Sequence, residues 1–183
     1  ENVFSKFAKE LFDTNTISGV KMVDGWVVEA MDSSMVHVDL SKAKGIMPAA
    51  FDRCDDLESV VLPKNITRIE DSTFAWCWKL GSISIPKSVK YIGGGAFEGC
   101  ESIKSIVIPE GVEYIGDGAF FNSDYRVMAN IVIPSSVIYI GEEAFNGQFT
   151  YGDEKTATAK VPLRLKSMVE DNNVFNENIL VTY

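Results

Sequence analysis

The sequence predicts an α/β repeat solenoid built on short β-strands, and three observations carry that prediction. The segment Ser82-Ile83-Ser84-Ile85-Pro86 recurs as Ser105-Ile106-Val107-Ile108-Pro109 and Asn130-Ile131-Val132-Ile133-Pro134. Each copy is followed by a valine (Val89, Val112, Val137) and then by Tyr91-Ile92-Gly93, Tyr114-Ile115-Gly116 or Tyr139-Ile140-Gly141. Each then reaches an Ala-Phe step at Ala96-Phe97, Ala119-Phe120 or Ala144-Phe145. Pro63, Pro86 and Pro109 stand 23 residues apart, and Pro134 follows after 25. A fixed period of this length is the mark of a chain whose units bury their apolar faces only against their neighbours.

Taken in order, residues 1–16 precede the repeats. Phe4, Phe7, Ala8, Leu11 and Phe12 fall at i, i+3, i+4, i+7 and i+8, the stripe of an amphipathic helix. This helix is expected to cover the open N-terminal end of the solenoid, where apolar core and unpaired backbone would otherwise meet water. Residues 17–44 read as a lead-in hairpin and a degenerate first coil. Asp24-Gly25 is a hairpin-turn dipeptide between Val20-Lys21-Met22 and Trp26-Val27-Val28. Val36, Val38 and Leu40 then alternate with His37 and Asp39, as a half-buried strand should.

Regular repeats occupy residues 45–147. The pairs Val60/Leu62, Ile83/Ile85, Ile106/Ile108 and Ile131/Ile133 are expected to point inward from a short strand. The following proline stops that strand because it has no N–H to donate. A second inward pair three residues apart (Ile66/Ile69, Val89/Ile92, Val112/Ile115, Val137/Ile140) returns the chain to the core. The glycine after it is assigned to a backbone bend, and the phenylalanine plugs the interior. Residues 122–130 carry two extra positions, with Asp124, Tyr125 and Arg126 at the expected tip. Residues 148–160 read as a polar insertion, followed by a C-terminal cap with a last strand-proline unit at Lys160-Val161-Pro162, a short helix within Leu163–Phe175 and a final strand at Ile179–Val181. The whole chain, 1–183, is read as one repeat domain.

Composition narrows the function. Seventeen Lys and Arg against 26 Asp and Glu leave a net charge of −9, which repels phosphate backbones and anionic lipid alike. Nucleic acid is therefore not an expected partner. No apolar run approaches the roughly 20 residues that cross a bilayer, so membrane insertion is not expected either. The chain begins at Glu1 without a methionine, as a mature or trimmed chain lacking its targeting segment would. The three cysteines, Cys54, Cys77 and Cys100, are 23 residues apart and read as one small inward site per coil, with Ser123 in the next slot. They show neither disulfide-framework nor zinc spacing.

The unit quoted by Ile83–Ile103 and Ile106–Phe120 (I-x-I-P-x-x-V-x-x-I-G-x-x-A-F-x-x-C-x-x-L) resembles the BspA-type leucine-rich repeat family, over about residues 45–147. The lead-in Asp24-Gly25-Trp26-Val27-Val28 also resembles a segment that precedes such repeats in gut bacterial surface proteins. The resemblance implies a right-handed, curved leucine-rich-repeat coil with a parallel sheet. It further implies a secreted or surface-attached bacterial protein that binds a host or other extracellular protein, or a glycan, in an adhesin-like manner. It transfers no catalytic residue. Thr73 in place of alanine, Glu70 in place of glycine and the 25-residue coil depart from the unit.

One feature exceeds what packing demands, and a second surface is a candidate beside it. Arg68, Tyr91, Tyr114 and Tyr139 each precede an inward isoleucine and should form an outward row, about 5 Å apart per coil. Such a row suits sugar rings or a protein anchor, but cross-strand packing accounts for it without any ligand. The outward positions of the main strand are short: Ser59, Ser82, Ser84, Ser105 and Val107, then Asn130 and Val132. They offer an extended partner a flat face, though plain solubility explains them too. His37, the one histidine, lacks partners at any catalytic or metal-binding spacing and reads as an exposed strand residue. Asp52, Asp55, Asp56 and Glu58 form an acidic cluster without a calcium-loop pattern. Gly93-Gly94-Gly95 lacks the Lys-Ser/Thr of a phosphate loop. No nucleophile–base motif is present, so neither enzyme activity nor a cofactor is expected. A binding module, acting as a monomer, and a spacer carrying another domain are the two readings left.

Overall fold

The computed structural model describes residues 17–103, 106–121, 130–147, 157–175 and 179–183. The helix expected over residues 1–16, the tip at Asp124–Arg126, Ser105 and the Ser123 slot lie outside them. Strands β1 (Val20–Val23) and β2 (Trp26–Ala30) form the antiparallel lead-in hairpin, with Asp24 (φ 51°) and Gly25 (φ 80°) in the left-handed turn that the dipeptide favours. The remaining strands are β3 (His37–Asp39), β4 (Gly45–Ile46), β5 (Ser59–Val61), β6 (Arg68–Ile69), β7 (Ser82–Ile83), β8 (Tyr91–Ile92), β9 (Tyr114–Ile115), β10 (Asn130–Val132), β11 (Tyr139–Ile140), β12 (Ala157–Lys160) and β13 (Ile179–Thr182).

The coils contribute up to two strands each, and like strands stack in parallel. The second strands form one sheet in the order β11-β9-β8-β6, with Arg68 opposite Tyr91, Tyr91 opposite Tyr114 and Tyr139 opposite Tyr114. The hairpin joins the same layer, because β2 pairs in parallel with β4 through Trp26 and Gly45. The main strands form two sheets rather than the single one the resemblance implies. These are β3-β5-β7 and β10-β12-β13, and Ile106–Ile108 between them is not assigned to a strand. A further inter-coil ladder runs through the Ala-Phe steps: Phe74 N–H donates to Ala96 O at 2.9 Å, and Phe97 N–H to Ala119 O at 2.8 Å. Backbone groups that a short strand leaves open are thus paired coil to coil.

The core is the file of aligned rings expected from the repeat. Phe51, Phe74, Phe97, Phe120 and Phe145 are fully buried, with ring centroids 4.9 to 5.6 Å apart. Phe175 extends the file at 5.4 Å. The chain therefore builds six such rungs, the last from Val174-Phe175 in the C-terminal segment. Each cysteine is a free, buried thiol. Cys77 and Cys100 donate to the carbonyls of Phe51 and Phe74 in the preceding coil, both at 3.1 Å. Thr73 is buried, and its hydroxyl donates to Glu70 O at 2.7 Å.

Several expectations need correction. The glycines of the Tyr-Ile-Gly steps do not serve a bend, since Gly93, Gly116 and Gly141 are absent from the positive-φ residues. They serve close approach. A Cβ on Gly116 would lie 2.5 Å from Gly94 N, and one on Gly141 would lie 2.4 Å from Asp117 N. The left-handed positions come two residues later, at Ser72, Gly95, Gly118 and Glu143. Val36 is exposed and precedes β3 instead of joining the inward set. Ile83 and Ile106 are half-buried, packed against the core from its edge. The last four residues of the expected insertion, 157–160, are strand β12. In the cap, a 3-10 turn (Leu163–Leu165) leads into helix α1 (Lys166–Asp171), and the final strand runs one residue further than expected, to Thr182. Helix α1 closes the exposed edge of β11: Ile140 N–H donates to Met168 Sδ at 3.2 Å, and Asn172 Nδ2 donates to Ile140 O at 2.7 Å.

Candidate functional site

The outward row exists as a continuous stack. Tyr91 and Tyr114 lie 4.7 Å apart, Tyr114 and Tyr139 lie 4.5 Å apart, and Arg68 Cζ sits 3.6 Å above the Tyr91 ring. The strand period explains it: the residue before each inward isoleucine faces out, and parallel register puts equivalents side by side. Glu70 holds the guanidinium in place with oxygens 2.9 and 3.2 Å from Nε and Nη2, and this bond raises the Arg68 pKa further. Asp71 Oδ1 accepts the Tyr91 hydroxyl at 3.2 Å and Gly94 N–H at 3.0 Å. Asp117 repeats the clasp two coils on, taking the Tyr139 hydroxyl at 3.5 Å and Glu142 N–H at 3.0 Å. Burial first, and the aspartate beside each ring second, push the Tyr91 and Tyr139 hydroxyls above the ordinary tyrosine range. The three rings are half-buried. Both faces of Tyr91 and Tyr114 and one face of Tyr139 are taken up by neighbouring rings or by Arg68, so there the stack leaves ring edges and hydroxyls to solvent. The row's next two positions are Gly45 and Trp26, and the indole lies where a side chain on Gly45 would stand.

The main-strand face is different. Ser59, Ser82 and Ser84 are short, and Val61, Val107 and Val132, at equivalent positions with Ser84 standing between the first two, are 54%, 81% and 56% exposed. An open recess of about 560 Å³ is lined by Ser59, Val61, Ser82, Ser84, Lys64 and Lys87 among others. A second, of about 450 Å³, continues it past Ser59 and Ser82 toward His37, Glu58 and Lys79. His37 lies on β3 as an exposed residue, its Nδ1 2.9 Å from Ser59 Oγ. The structure thus places Ser84, Val107 and Val132 on one face and Arg68, Tyr91, Tyr114 and Tyr139 on another strand layer. Sequence reading missed the two lysines. Their only signal was that each follows a repeat proline, a position it left unassigned.

Other candidates carry less. No group of three or more metal-ligating side chains converges among the described residues. Burial pushes the Cys54 thiol up to about 11 and Cys100 to about 12, and raises Cys77 as well, which leaves them unreactive near neutral pH. No helix among the described residues is long and apolar enough to cross a membrane.

Parallel strands stacked at a fixed period, with one ring per coil, define a leucine-rich-repeat-like solenoid. The model for the BspA type leucine rich repeat region matches residues 31–151 in six copies, and the chain belongs to that family. Among solved structures it is similar to a leucine-rich repeat protein of T. pallidum (28% identity, TM-score 0.62), covering 75% of this chain and 63% of that one. It is also similar in fold to the pneumococcal vaccine antigen PcpA (16% identity, TM-score 0.64; 92% and 47%) and to a leucine-rich repeat protein from Bacteroides ovatus (19%, 0.54; 93% and 64%). The chain therefore spans less than two thirds of each of these proteins. No curated protein matches it.

Proposed function

We propose that this chain is a non-catalytic binding module of a secreted or surface-attached bacterial protein, adhesin-like, monomeric, and docking an extracellular protein on its main-strand face. The observation that carries this reading is the set of solvent-exposed valines, Val61, Val107 and Val132, at equivalent positions of a face that also presents the short Ser59, Ser82 and Ser84. Exposed apolar side chains aligned over several coils are surface that a partner can dehydrate. Ser84 sits among them at the margin of an open recess. Kinship with bacterial leucine-rich repeat proteins, one of them a vaccine antigen, supports the surface location. Arg68, Tyr91, Tyr114 and Tyr139 enter as a secondary contact: with ring faces already stacked, they offer hydroxyls and edges to a protein and little platform to a sugar.

An array of extracellular proteins and glycans, probed with the purified chain, tests the proposal. At least one protein should bind, and the double variant Val107→Asp/Val132→Asp, which changes only exposed positions, should lose that binding at unchanged Tm. A blank array, or affinity indifferent to the two aspartates, would instead favour a spacer that carries some other domain.

A further inference from the structure

Resting on the strand-face reading above, we infer that this face takes an extended, acidic segment of a partner protein, with its carboxylates over Lys64 and Lys87. Elsewhere the solenoid pairs opposite charges from coil to coil. Lys79 Nζ lies 2.7 Å from Asp56, and Lys90 Nζ lies 3.3 Å from Glu113; both partners stand 23 positions away. Lys64 and Lys87 stand outside these pairs: Glu110 follows Lys87 by the same 23 positions, yet no ion pair among the described residues joins the two. Ser59 and Ser82 are in register one coil apart, and Ser88 Oγ donates to Lys64 O at 2.8 Å, so the two lysines are equivalent neighbours of like charge. Neither lysine has an ion-pair partner among the described residues. No carboxylate lines the recess they share. On a chain of net charge −9, two unneutralised ammonium groups beside one recess are a local reversal of sign that an anionic ligand relieves.

The rest of the lining selects the kind of anion. Val61, Leu62 and Pro86 supply apolar wall, Ser59, Ser82 and Ser84 supply hydroxyls, and no Phe, Tyr or Trp ring lines either recess. A sulfated sugar would find charge there but no stacking surface. An extended peptide that carries both acidic and apolar side chains matches both. From Ser59 to Pro63 the recess follows the strand direction, roughly 13 Å at ~3.3 Å per residue, which seats about four peptide residues.

The test uses fluorescein-labelled decapeptides read by anisotropy: alternating Glu/Leu, alternating Lys/Leu and alternating Ser/Leu, with a sulfated heparin oligosaccharide as a fourth probe. The Glu/Leu peptide should bind at least about tenfold tighter than the other two peptides and weaken with added salt. The double variant Lys64→Glu/Lys87→Glu should invert the order, preferring the Lys/Leu peptide, while the charge-matched control Lys44→Glu/Lys166→Glu, at the hairpin turn and on α1, keeps it. Equal affinity for all three peptides, an effect of the control as large as that of the pair, or tighter binding of the oligosaccharide would each overturn the inference. Array binding that is lost in Val107→Asp/Val132→Asp but survives Lys64→Glu/Lys87→Glu would sink the acidic-segment assignment and leave the strand-face reading standing.

Discussion

The solenoid carries two ring stacks of the same period, one inside and one outside. Phe74 and Phe97 lie 5.6 Å apart at an interplanar angle of 12°, and Tyr114 and Tyr139 lie 4.5 Å apart at 9°. Parallel register alone produces both, since every residue meets its own equivalent in the next coil. They differ in what surrounds them. The phenylalanines are fully buried among Ala, Cys and Ile, whereas the tyrosines keep their edges in water and tie their hydroxyls to Asp71 and Asp117. Stacking geometry is therefore a poor guide to energetic weight, and removal from water is the better one.

Three substitutions break or sharpen that comparison. Phe97→Ala removes a ring from the middle of the inner stack and opens a cavity between Phe74 and Phe120. It should cost about 3–5 kcal/mol, seen as a large drop in the urea midpoint, and a cost below ~1 kcal/mol would show that the file can collapse. Gly116→Ala touches neither ring but drives a methyl into the Gly94 backbone. Because it forces two coils apart, it should weaken both stacks together and cost about 1–3 kcal/mol, with a loss of near-ultraviolet signal from tyrosine as well as stability. Tyr114→Ser should cost least, about 1 kcal/mol, since the rings it leaves behind remain solvated; a loss equal to that of Phe97→Ala would make the outer row part of the core.

The recess of the strand face invites a parallel comparison with the acidic turn side. Glu98, Asp117, Glu142 and Glu143 line a hollow there, and burial raises the Glu98 carboxyl above its ordinary range. That side concentrates the negative charge of the chain, so an acidic partner segment is steered away from it and toward Lys64 and Lys87. Contrast between the two sides sets the orientation in which such a partner would lie.

How much of this was legible beforehand follows from the kind of interaction involved. The period, the inward identity of Phe51, Phe74, Phe97, Phe120 and Phe145, the hairpin at Asp24-Gly25 and the tyrosine row were all readable, because in a solenoid each position's environment is its own equivalent one coil away. Sequence spacing there is spatial spacing. What only the tertiary structure decided are contacts between non-equivalent positions. The glycines of the Tyr-Ile-Gly steps answer to the neighbouring coil's backbone, not to their own torsion angles. Phe175 joins the ring file across a break in the period, and α1 in the cap turns Met168 and Asn172 onto Ile140. Lys64 and Lys87 become a pair only once stacking brings them side by side beside a recess with no carboxylate. A repeat unit specifies its own coil, but the distance between coils and the charge left over at their surface belong to the stack as a whole.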